Sequence, residues 1–370
     1  MKFIVKKEIL MDCLNNTARA ISTKNLIPIL TGIKFELTKN GLYLYASDTD
    51  ISIRTFISKE KLTDIKEEGS IVIVGKYIVE IVRKMPNTDI TMEVIDGYKL
   101  IISTDNTEFN LNGINPNEFP NLDLDETREP IIINNNVFKE IINQTVFATS
   151  QNESRPLLTG INFIIDNNKL EVLATDSYRL ARKLVFIDKE IDNKVNIVIP
   201  GKNLIELSKM LDDKGFIEMH LFSNKVLFKY DNMVFLTRLL SGTYPTTSNI
   251  IPKDFNIELE CNFNDLFNMI DRASLLTSDR EKNTIKLSLD KNELMISSNS
   301  PEIGRVEEKV EVVSDKKIDI SFSSKFMLDA IKSFNKEKII ICMNTESSPI
   351  VIKSSEDDSL IQLVLPIKTC

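Results

Sequence analysis

The sequence predicts an α+β fold made of three domain-sized repeats, each with two helices and antiparallel sheets. The first indication is a recurring segment: Leu-Thr-Gly-Ile-Lys-Phe at residues 30–35 returns 128 positions later as Leu-Thr-Gly-Ile-Asn-Phe at residues 158–163. Ala-Ser-Asp at residues 46–48 returns at the same distance as Ala-Thr-Asp at residues 174–176, and a weaker third copy begins near residue 284. A repeat of this length has the size of a domain rather than of a solenoid unit.

The second indication is an amphipathic helix with one basic face, which is predicted once in each repeat. In residues 201–211, Leu204, Leu207 and Leu211 fall on one face, and two lysines seven positions apart fall on the other. The three basic pairs at this spacing are Lys76 with Arg83, Lys202 with Lys209, and Lys325 with Lys332. An ordinary solvated face would explain one such helix, but three matched copies favour a functional surface that binds phosphates.

Each repeat is predicted to begin with another helix, which is followed by hairpin strands. Apolar periodicity predicts these first helices, and asparagines at residues 134–136 and 262–264 are suited to cap two of them. The helices are predicted at residues 7–20, 137–149 and 264–276. In the first repeat, Lys39-Asn40-Gly41 indicates a hairpin turn. The strand pairs are predicted at 33–37 with 42–46, 161–165 with 170–174, and 285–289 with 293–297.

The predicted domain boundaries fall where charge and proline cluster between the repeats. These linkers are residues 123–130 and 251–256. The expected domains are residues 1–127, 128–253 and 254–370. The helices are too few and the hairpins too tight for a parallel sheet, which needs long crossover connections.

The composition indicates a globular chain without a disulfide or metal framework. Of its 370 residues 42% are hydrophobic, and the formal net charge of −8 argues against indiscriminate coating of nucleic acid but not against a local basic surface. The cysteines have neither C-x-x-C nor metal-site spacing, so reduced thiols are expected at Cys13, Cys261, Cys342 and Cys370. The N-terminus lacks a signal-peptide core, and no run of about 20 apolar residues is present, so we expect a cytoplasmic protein without a membrane span.

Two alternatives to a non-catalytic DNA-binding protein remain open from the residues alone. Asp48 and Asp176 could bind a metal ion in a DNA-cleaving enzyme, although a turn role is favoured because they recur at equivalent positions and the third repeat has Asn299 there. A scaffold that binds peptides and never touches DNA is the other alternative. No phosphate-binding glycine motif is present, so we expect no nucleotide, cofactor or metal and no enzymatic activity.

Several segments spread along the whole chain carry a resemblance to one family. They are residues 1–3 (Met-Lys-Phe), 28–30 (Pro-Ile-Leu), 119–122 (Phe-Pro-Asn-Leu), 153–160 (Glu-Ser-Arg-Pro-Leu-Leu-Thr-Gly), 174–181 (Ala-Thr-Asp-Ser-Tyr-Arg-Leu-Ala) and 364–367 (Val-Leu-Pro-Ile). The sequence strongly resembles the bacterial sliding clamp family, the beta subunit of DNA polymerase III. The resemblance implies a head-to-tail dimer of three-domain protomers, closed into a ring whose helices line a central hole.

The resemblance also implies a function and a set of partners. The protein would be a non-enzymatic processivity factor that encircles duplex DNA without sequence preference and tethers the replicative DNA polymerase at the nucleoid. A separate ATP-driven clamp loader, repair and translesion polymerases and mismatch-repair proteins are the other implied partners. Lys24 and Arg155 lie on or near positions that match the DNA-contacting surface, in addition to the six residues of the basic pairs.

A pocket for short hydrophobic peptides is implied between the second and third domains. The matching residues are Leu158, Thr175, Ser177, Tyr178, Arg179, Leu180, Pro245, Ile250, Pro349, Leu363, Leu365, Pro366 and Ile367. Apolar walls with a few polar orienting groups suit such a groove. Asn249 occupies a position where some members carry arginine.

The dimer contact is implied between the first domain of one protomer and the third domain of the next. Phe109, Leu275 and Leu276 match its apolar part, and an acidic strip matches Glu302, Glu307, Glu308 and Glu311. The opposing segment, residues 105–109, lacks the arginines that some relatives carry. We therefore expect a dimer that is weaker, or less sensitive to salt, than a heavily ion-paired one.

Overall fold

A computed structural model describes residues 1–22, 27–247, 249–278, 280 and 282–368, without the side chains of residues 191 and 192. The first repeat has β1 (Lys2–Lys6), α1 (Lys7–Thr17), β2 (Gly32–Thr38), β3 (Gly41–Ser47), β4 (Ile51–Ser58), β5 (Leu62–Glu67), β6 (Gly69–Val74), α2 (Gly75–Lys84), β7 (Asp89–Ile95), β8 (Lys99–Thr104) and β9 (Thr107–Asn112). The second repeat has β10 (Ile131–Asn134), α3 (Asn135–Thr145), β11 (Gly160–Thr175), β12 (Arg179–Pro200), α4 (Gly201–Ser208), β13 (Phe216–Leu221), β14 (Lys225–Tyr230) and β15 (Met233–Arg238). The third has β16 (Ile257–Asn262), α5 (Phe263–Ser274), β17 (Thr284–Asp290), β18 (Glu293–Ser300), β19 (Gly304–Glu311), β20 (Lys317–Ser323), α6 (Ser324–Lys332), β21 (Lys338–Met343), β22 (Ile350–Lys353) and β23 (Leu360–Val364).

The first helix of each repeat begins where the sequence predicts it. α1, α3 and α5 start at residues 7, 135 and 263, which are 128 residues apart. Asn134 Oδ1 accepts a hydrogen bond from the backbone N–H of Asn136 at 2.9 Å, and Asn262 Oδ1 accepts one from that of Asn264, also at 2.9 Å. These bonds satisfy N–H groups that have no partner inside the helix, so the caps predicted from the asparagines are confirmed.

The basic helix of the second repeat is shorter than predicted. α4 ends at Ser208 rather than at residue 211, so Lys209 lies in the turn that follows the helix. Beyond α4 the backbone hydrogen bonds skip three residues instead of four: the N–H of Met210 donates to Leu207 O at 3.0 Å. The tighter turn still buries Leu211, which explains why the apolar spacing continues past the last helical residue.

Residues Met1–Asn136 and Glu206–Leu239 form one compact unit. Its larger sheet is antiparallel and has the strand order β10-β13-β14-β15-β4-β3-β2-β6. Within it β15 of the second repeat pairs with β4 of the first, from Met233 opposite Thr55 to Thr237 opposite Ile51. A second sheet has the order β5-β1-β7-β8-β9, so β9 lies at an edge. The predicted hairpin of β2 and β3 is confirmed, and Gly41 adopts a φ of +141° at its turn.

Residues Val137–Ile205 and Leu240–Cys370 form the other unit. One antiparallel sheet has the order β11-β12-β23-β22-β21-β16, and β23 of the third repeat pairs with β12 of the second. The other has the order β19-β18-β17-β20, so β19 lies at an edge. The predicted hairpin of β17 and β18 is confirmed. In the second repeat, β11 runs through the predicted turn, and its register against β12 shifts on both sides of Asn167, where φ is +53°.

Helices cover one face of the sheets in each unit. In the third repeat, α5 and α6 bury apolar residues such as Met269 and Ile331 against Ile285, Ile296 and Phe322 of the four-stranded sheet. The longest α-helix in the described ranges has 12 residues, and none there is long and apolar enough to cross a membrane.

Candidate functional site

The basic helix faces are exposed in all three repeats. In α2, Ile78 and Val82 are buried, whereas Lys76 and Arg83 are exposed. α4 and α6 have the same division, with the apolar positions buried and the basic ones in solvent. The amphipathic pattern that the spacing predicts is therefore confirmed for each helix, apart from the placement of Lys209 in the following turn.

Two of these basic side chains have an acidic partner one helical turn away. Arg83 donates to the carboxylate of Glu80, and Lys209 Nζ lies 2.7 Å from Glu206 Oε1. Arg19 also donates to Glu206, at 2.8 Å. Partial burial alone would raise the pKa of Glu206, but the hydrogen bonds from Lys209 and Arg19 lower it below its ordinary value. Because these side chains are about a third or more exposed, solvent weakens the pairs and a competing phosphate can displace them.

The other predicted DNA contacts have different surroundings. Lys332 Nζ lies 5.2 Å from the ring centroid of Phe267. Arg155 is exposed, and its Nη1 lies 3.2 Å from Ser177 Oγ, so the structure brings Arg155 to a residue predicted for the peptide pocket. Lys24 lies outside the described residues.

Asp48 and Asp176 close two equivalent turns. Asp48 Oδ1 accepts the backbone N–H groups two and three residues later at 2.9 and 2.8 Å, and Asp176 Oδ1 accepts the corresponding pair at 2.9 and 3.0 Å. Thr49 and Ser177, which follow them, both have a φ of +80°. In the described ranges, no group of three or more His, Cys, Asp or Glu side chains could hold a metal ion. These contacts give both carboxylates a structural role, and nothing supports the metal-dependent enzyme.

The apolar residues predicted for the peptide pocket come together in the unit that contains the third repeat. Leu158, Leu180 and Leu363 are buried in one cluster, and Leu365 packs half-buried against it. The backbone N–H of Leu365 donates to Tyr178 O at 2.9 Å. The chain after β23 is thereby held next to the turn that follows β11.

Thr175, one of the predicted polar residues, stabilises that turn through two hydrogen bonds. The backbone N–H of Thr175 donates to Tyr244 Oη at 3.0 Å, and Thr175 Oγ1 donates to Arg179 O at 2.6 Å. Burial raises the pKa of the Tyr244 phenol, which keeps its oxygen neutral. Thr175 thus positions the turn rather than presenting its hydroxyl to the pocket.

The Arg179 side chain is mostly buried and contacts two carboxylates and an aromatic ring. Its Nε lies 2.9 Å from Asp176, its Nη1 lies 2.7 Å from Asp329, and its guanidinium lies 4.4 Å from the ring centroid of Phe326. Only 10% of the side chain is exposed. Hydrogen bonds to two different carboxylates and the contact with the Phe326 ring make Arg179 a support between the Asp176 turn and α6.

A cavity of about 540 Å³ opens beside this cluster. It is lined by Tyr178, Lys282, Asn283, Ser323, Lys325, Phe326, Leu365, Pro366, Ile367 and Lys368. Four of these residues were predicted for the pocket, and Lys325 was predicted as a DNA contact instead. Ser177, Pro245, Ile250 and Pro349 lie outside this cavity. Phe326 was not predicted as a pocket residue, although its position beside Lys325 at the start of a basic helix could have indicated it.

The residues predicted for the dimer contact lie at or near the two edge strands. Phe109 is 37% exposed on β9, and Leu275 is 76% exposed after α5. Leu276 is half-buried, and Ile303, which precedes β19 and was not predicted, is 65% exposed. Arg272 pairs with Glu308, and the resulting hydrogen bonds lower the pKa of that carboxyl. Part of the acidic strip is therefore neutralised within the chain.

Three repeated α+β domains with exposed basic helices and antiparallel sheets that continue from one repeat into the next define the class of DNA sliding clamps. Models of the N-terminal, central and C-terminal domains of the DNA polymerase III beta subunit match residues 1–123, 132–246 and 248–368. The beta sliding clamp of Bacillus subtilis is 40% identical over the full length of both chains, and that of Staphylococcus epidermidis is 39% identical. The chain belongs to the DNA polymerase III beta subunit family.

Solved structures agree with this assignment. The crystal structure of the sliding clamp from Bacillus subtilis matches with a TM-score of 0.97 at 40% identity, covering all of both chains. That of a DNA polymerase III beta chain from Streptococcus pneumoniae matches with a TM-score of 0.94 at 32% identity, again with full coverage. The architecture of three clamp domains is therefore shared along the whole chain.

Changing Asp48 tests the structural role of the repeated aspartates. Asp48→Ala removes the acceptor of two backbone N–H groups and should lower the free energy of unfolding by about 1–2 kcal/mol. Asp48→Asn keeps one side-chain oxygen and should lose less. Denaturant unfolding with and without magnesium measures both effects. A stability gain from magnesium in the wild type that Asp48→Asn abolishes would contradict the turn role.

Proposed function

We propose that this protein is a non-enzymatic sliding clamp that encircles duplex DNA and tethers the replicative polymerase to its template. The observation that carries the proposal is the threefold repetition of an exposed basic helix in a chain whose net charge is −8. Basic residues repeated on one helix face of each repeat would attract phosphates locally, while the net negative charge of the chain disfavours indiscriminate binding of DNA. The DNA surface would comprise eight basic residues: Lys24, Lys76, Arg83, Arg155, Lys202, Lys209, Lys325 and Lys332.

The local acids on these helices suit sliding better than tight binding. Glu80 and Glu206 each neutralise part of the basic charge beside them, and both pairs are solvent-exposed. A phosphate that displaces such an acid gains little net energy, because the lysine or arginine already has a partner. Weak, exchangeable contacts of this kind hold the duplex centred and let it move past. The second candidate, a scaffold that never binds DNA, has no observation in its favour.

The edge strands support closure of a head-to-tail dimer. Within the chain, β15 pairs with β4, and β23 pairs with β12. In both cases the last strand of a repeat pairs with the strand that follows the Asp48 or Asp176 turn of the preceding repeat. β9 is the last strand of the first repeat, and β19 is the strand after the corresponding turn of the third repeat. Each lies at a sheet edge, so the same rule would pair β9 of one copy with β19 of another. Pairing β9 of one copy with β19 of another repeats this bond between protomers and removes both open edges.

The pocket beside Leu365 would receive hydrophobic linear motifs of the polymerase, the clamp loader, repair and translesion polymerases and mismatch-repair proteins. Exposed Tyr178 and half-buried Leu365, Pro366 and Ile367 offer the apolar walls that such a peptide needs. A bound polymerase that lets go of its template would stay close to it, since tethering turns rebinding into an intramolecular step. The site residues of the pocket remain those predicted from the resemblance, with Arg179 and Thr175 in supporting roles.

The proposal also includes the division into domains and the compartment. Residues 1–127, 128–253 and 254–370 would be the three domains, a division that the ranges of the family models support. A protein that acts on replicating DNA would work in the cytoplasm at the nucleoid. The chain itself would carry out no chemistry, and the loader would supply the energy of ATP hydrolysis.

Reversing one basic residue in each repeat tests the DNA surface. The triple variant Lys76→Glu, Lys202→Glu and Lys332→Glu should bind a short duplex more weakly, and its log–log salt slope should shrink by about 3. Fluorescence anisotropy across a salt series measures both. The matched control reverses Lys66, Lys194 and Lys317, which are exposed on strands of the same repeats. Equal losses in the two triples would rule out a dedicated helix surface.

The dimer should depend on apolar contacts and strand pairing more than on charge. Phe109→Asp is expected to give monomers, because it places a carboxylate on the edge strand β9 opposite the acidic strip. The wild-type dissociation constant should change by less than about threefold between about 0.05 and 0.5 M salt. Sedimentation equilibrium measures both quantities. Phe216→Asp, at an exposed position on β13, is the control and should remain dimeric. Dissociation of the wild type by moderate salt would refute this account of the interface.

A further inference from the structure

A second, basic cavity adjoins the pocket beside Leu365. Its volume is about 730 Å³, and it shares Lys282, Ile367 and Lys368 with that pocket. The cavity is lined by Arg280, Lys282, Thr284, Ile285, Lys286, Ser297, Ser298, Asn299, Arg305, Ser321, Ile367 and Lys368. Five of these residues are basic, and none of the described ones is acidic. The two cavities therefore adjoin along these shared residues, and the second is positively charged.

The sheet alternation explains why the positive charges converge there. Ile285, Ile296 and Phe322 point toward α5 and α6 and are buried in the core of the third repeat. Their neighbours along the strands, including Lys286 and Ser297, point to the opposite face. The cavity thus lies on the face of the four-stranded sheet that is turned away from the helices.

Among the described residues, the charge of this cavity is only partly compensated. Lys286 Nζ lies 3.3 Å from Asp319, and Arg305 pairs with Glu307, but all four side chains are more than a third exposed. Neither acid lines the cavity. Hydroxyl and amide groups of Ser297, Asn299 and Ser321 lie among the basic side chains and can donate hydrogen bonds to an anion. An acidic ligand would find several charges and donors in one place.

We infer that this cavity binds an acidic stretch flanking the hydrophobic motif of a partner peptide. The inference rests on the proposed function, because it assigns an extension to the peptide pocket. A chain seated beside Tyr178 and Leu365 has only to continue past Ile367 and Lys368 to reach the basic residues. Charge complementarity then selects aspartate and glutamate on that flank and distinguishes partners that share a similar hydrophobic core.

Nucleic acid is the less favoured occupant of the same charges. Most of the candidate DNA contacts lie on the basic helices, whereas Lys286, Ser297 and Asn299 lie on the face of the sheet opposite to the helices of the third repeat. The lining also lacks an exposed aromatic ring on which a base could stack. A peptide is favoured because the peptide pocket adjoins the cavity.

Peptide anisotropy measurements test the inference. The probe is a fluorescein-labelled peptide with the hydrophobic motif of the cognate replicative polymerase, made with four serines on each flank, or with four glutamates on the N-terminal or the C-terminal flank. One glutamate form should bind the full-length protein about five- to tenfold more tightly than the serine form at low salt. This advantage should disappear in Arg280→Gln with Lys286→Gln and persist in Lys316→Gln with Lys317→Gln, which removes the same charge from the far end of the sheet.

Further variants and peptides distinguish a failure of the proposed peptide pocket from a failure of its basic extension. Tyr178→Ala should weaken all three peptides alike, since it changes the pocket and not the cavity. If the serine peptide does not bind, the pocket itself is wrong and the inference fails with it. If it binds but neither glutamate form binds more tightly, or the advantage survives in Arg280→Gln with Lys286→Gln, only the basic extension is overturned. A loss of affinity for a single-stranded or duplex oligonucleotide in that variant, without a flank effect, would assign the cavity to nucleic acid instead.

Discussion

Strand pairing between consecutive repeats is the interaction on which this fold depends. β15 pairs with β4, and β23 pairs with β12, so two sheets of the chain contain strands from two repeats each. These backbone hydrogen bonds satisfy edges that would otherwise be open to aggregation. β9 and β19 each keep one open edge, and the proposed head-to-tail dimer would pair these two edges between copies of the chain. The proposed dimer would then use the same kind of strand pairing that joins consecutive repeats within the chain.

The functional surfaces follow from the two faces of each sheet. Helices cover one face of the sheets and carry the pairs of basic residues that are seven positions apart. Two of these residues, Arg83 and Lys209, have an exposed acidic partner. The proposed peptide pocket lies beside a turn that hydrogen bonds of Asp176, Thr175 and Arg179 stabilise. In the proposed function, weak attraction for DNA and binding of peptides would therefore use different elements of the chain.

Local signals allowed much of the fold to be predicted from the sequence. The helix starts follow from apolar periodicity and asparagine caps, and the hairpin at Gly41 follows from a turn that needs a positive φ. The end of α4 was misplaced because Leu211 stays buried after the helix has stopped. Arg179 could not be recognised as a support, since its partner Asp329 is 150 residues away. The strands β23 and β12 also pair over a long stretch of sequence, and this pairing leaves no periodic signal.

Topological retention on DNA tests the central claim most directly. The protein is placed on nicked circular DNA with a matching clamp loader and ATP, half of the sample is linearised, and both halves are followed by gel filtration. The account predicts that the protein stays with circles and is lost from linear ends, because nothing but ring closure holds it there. Equal release from both forms, with strong dependence on salt, would mean ordinary surface binding and would contradict the ring.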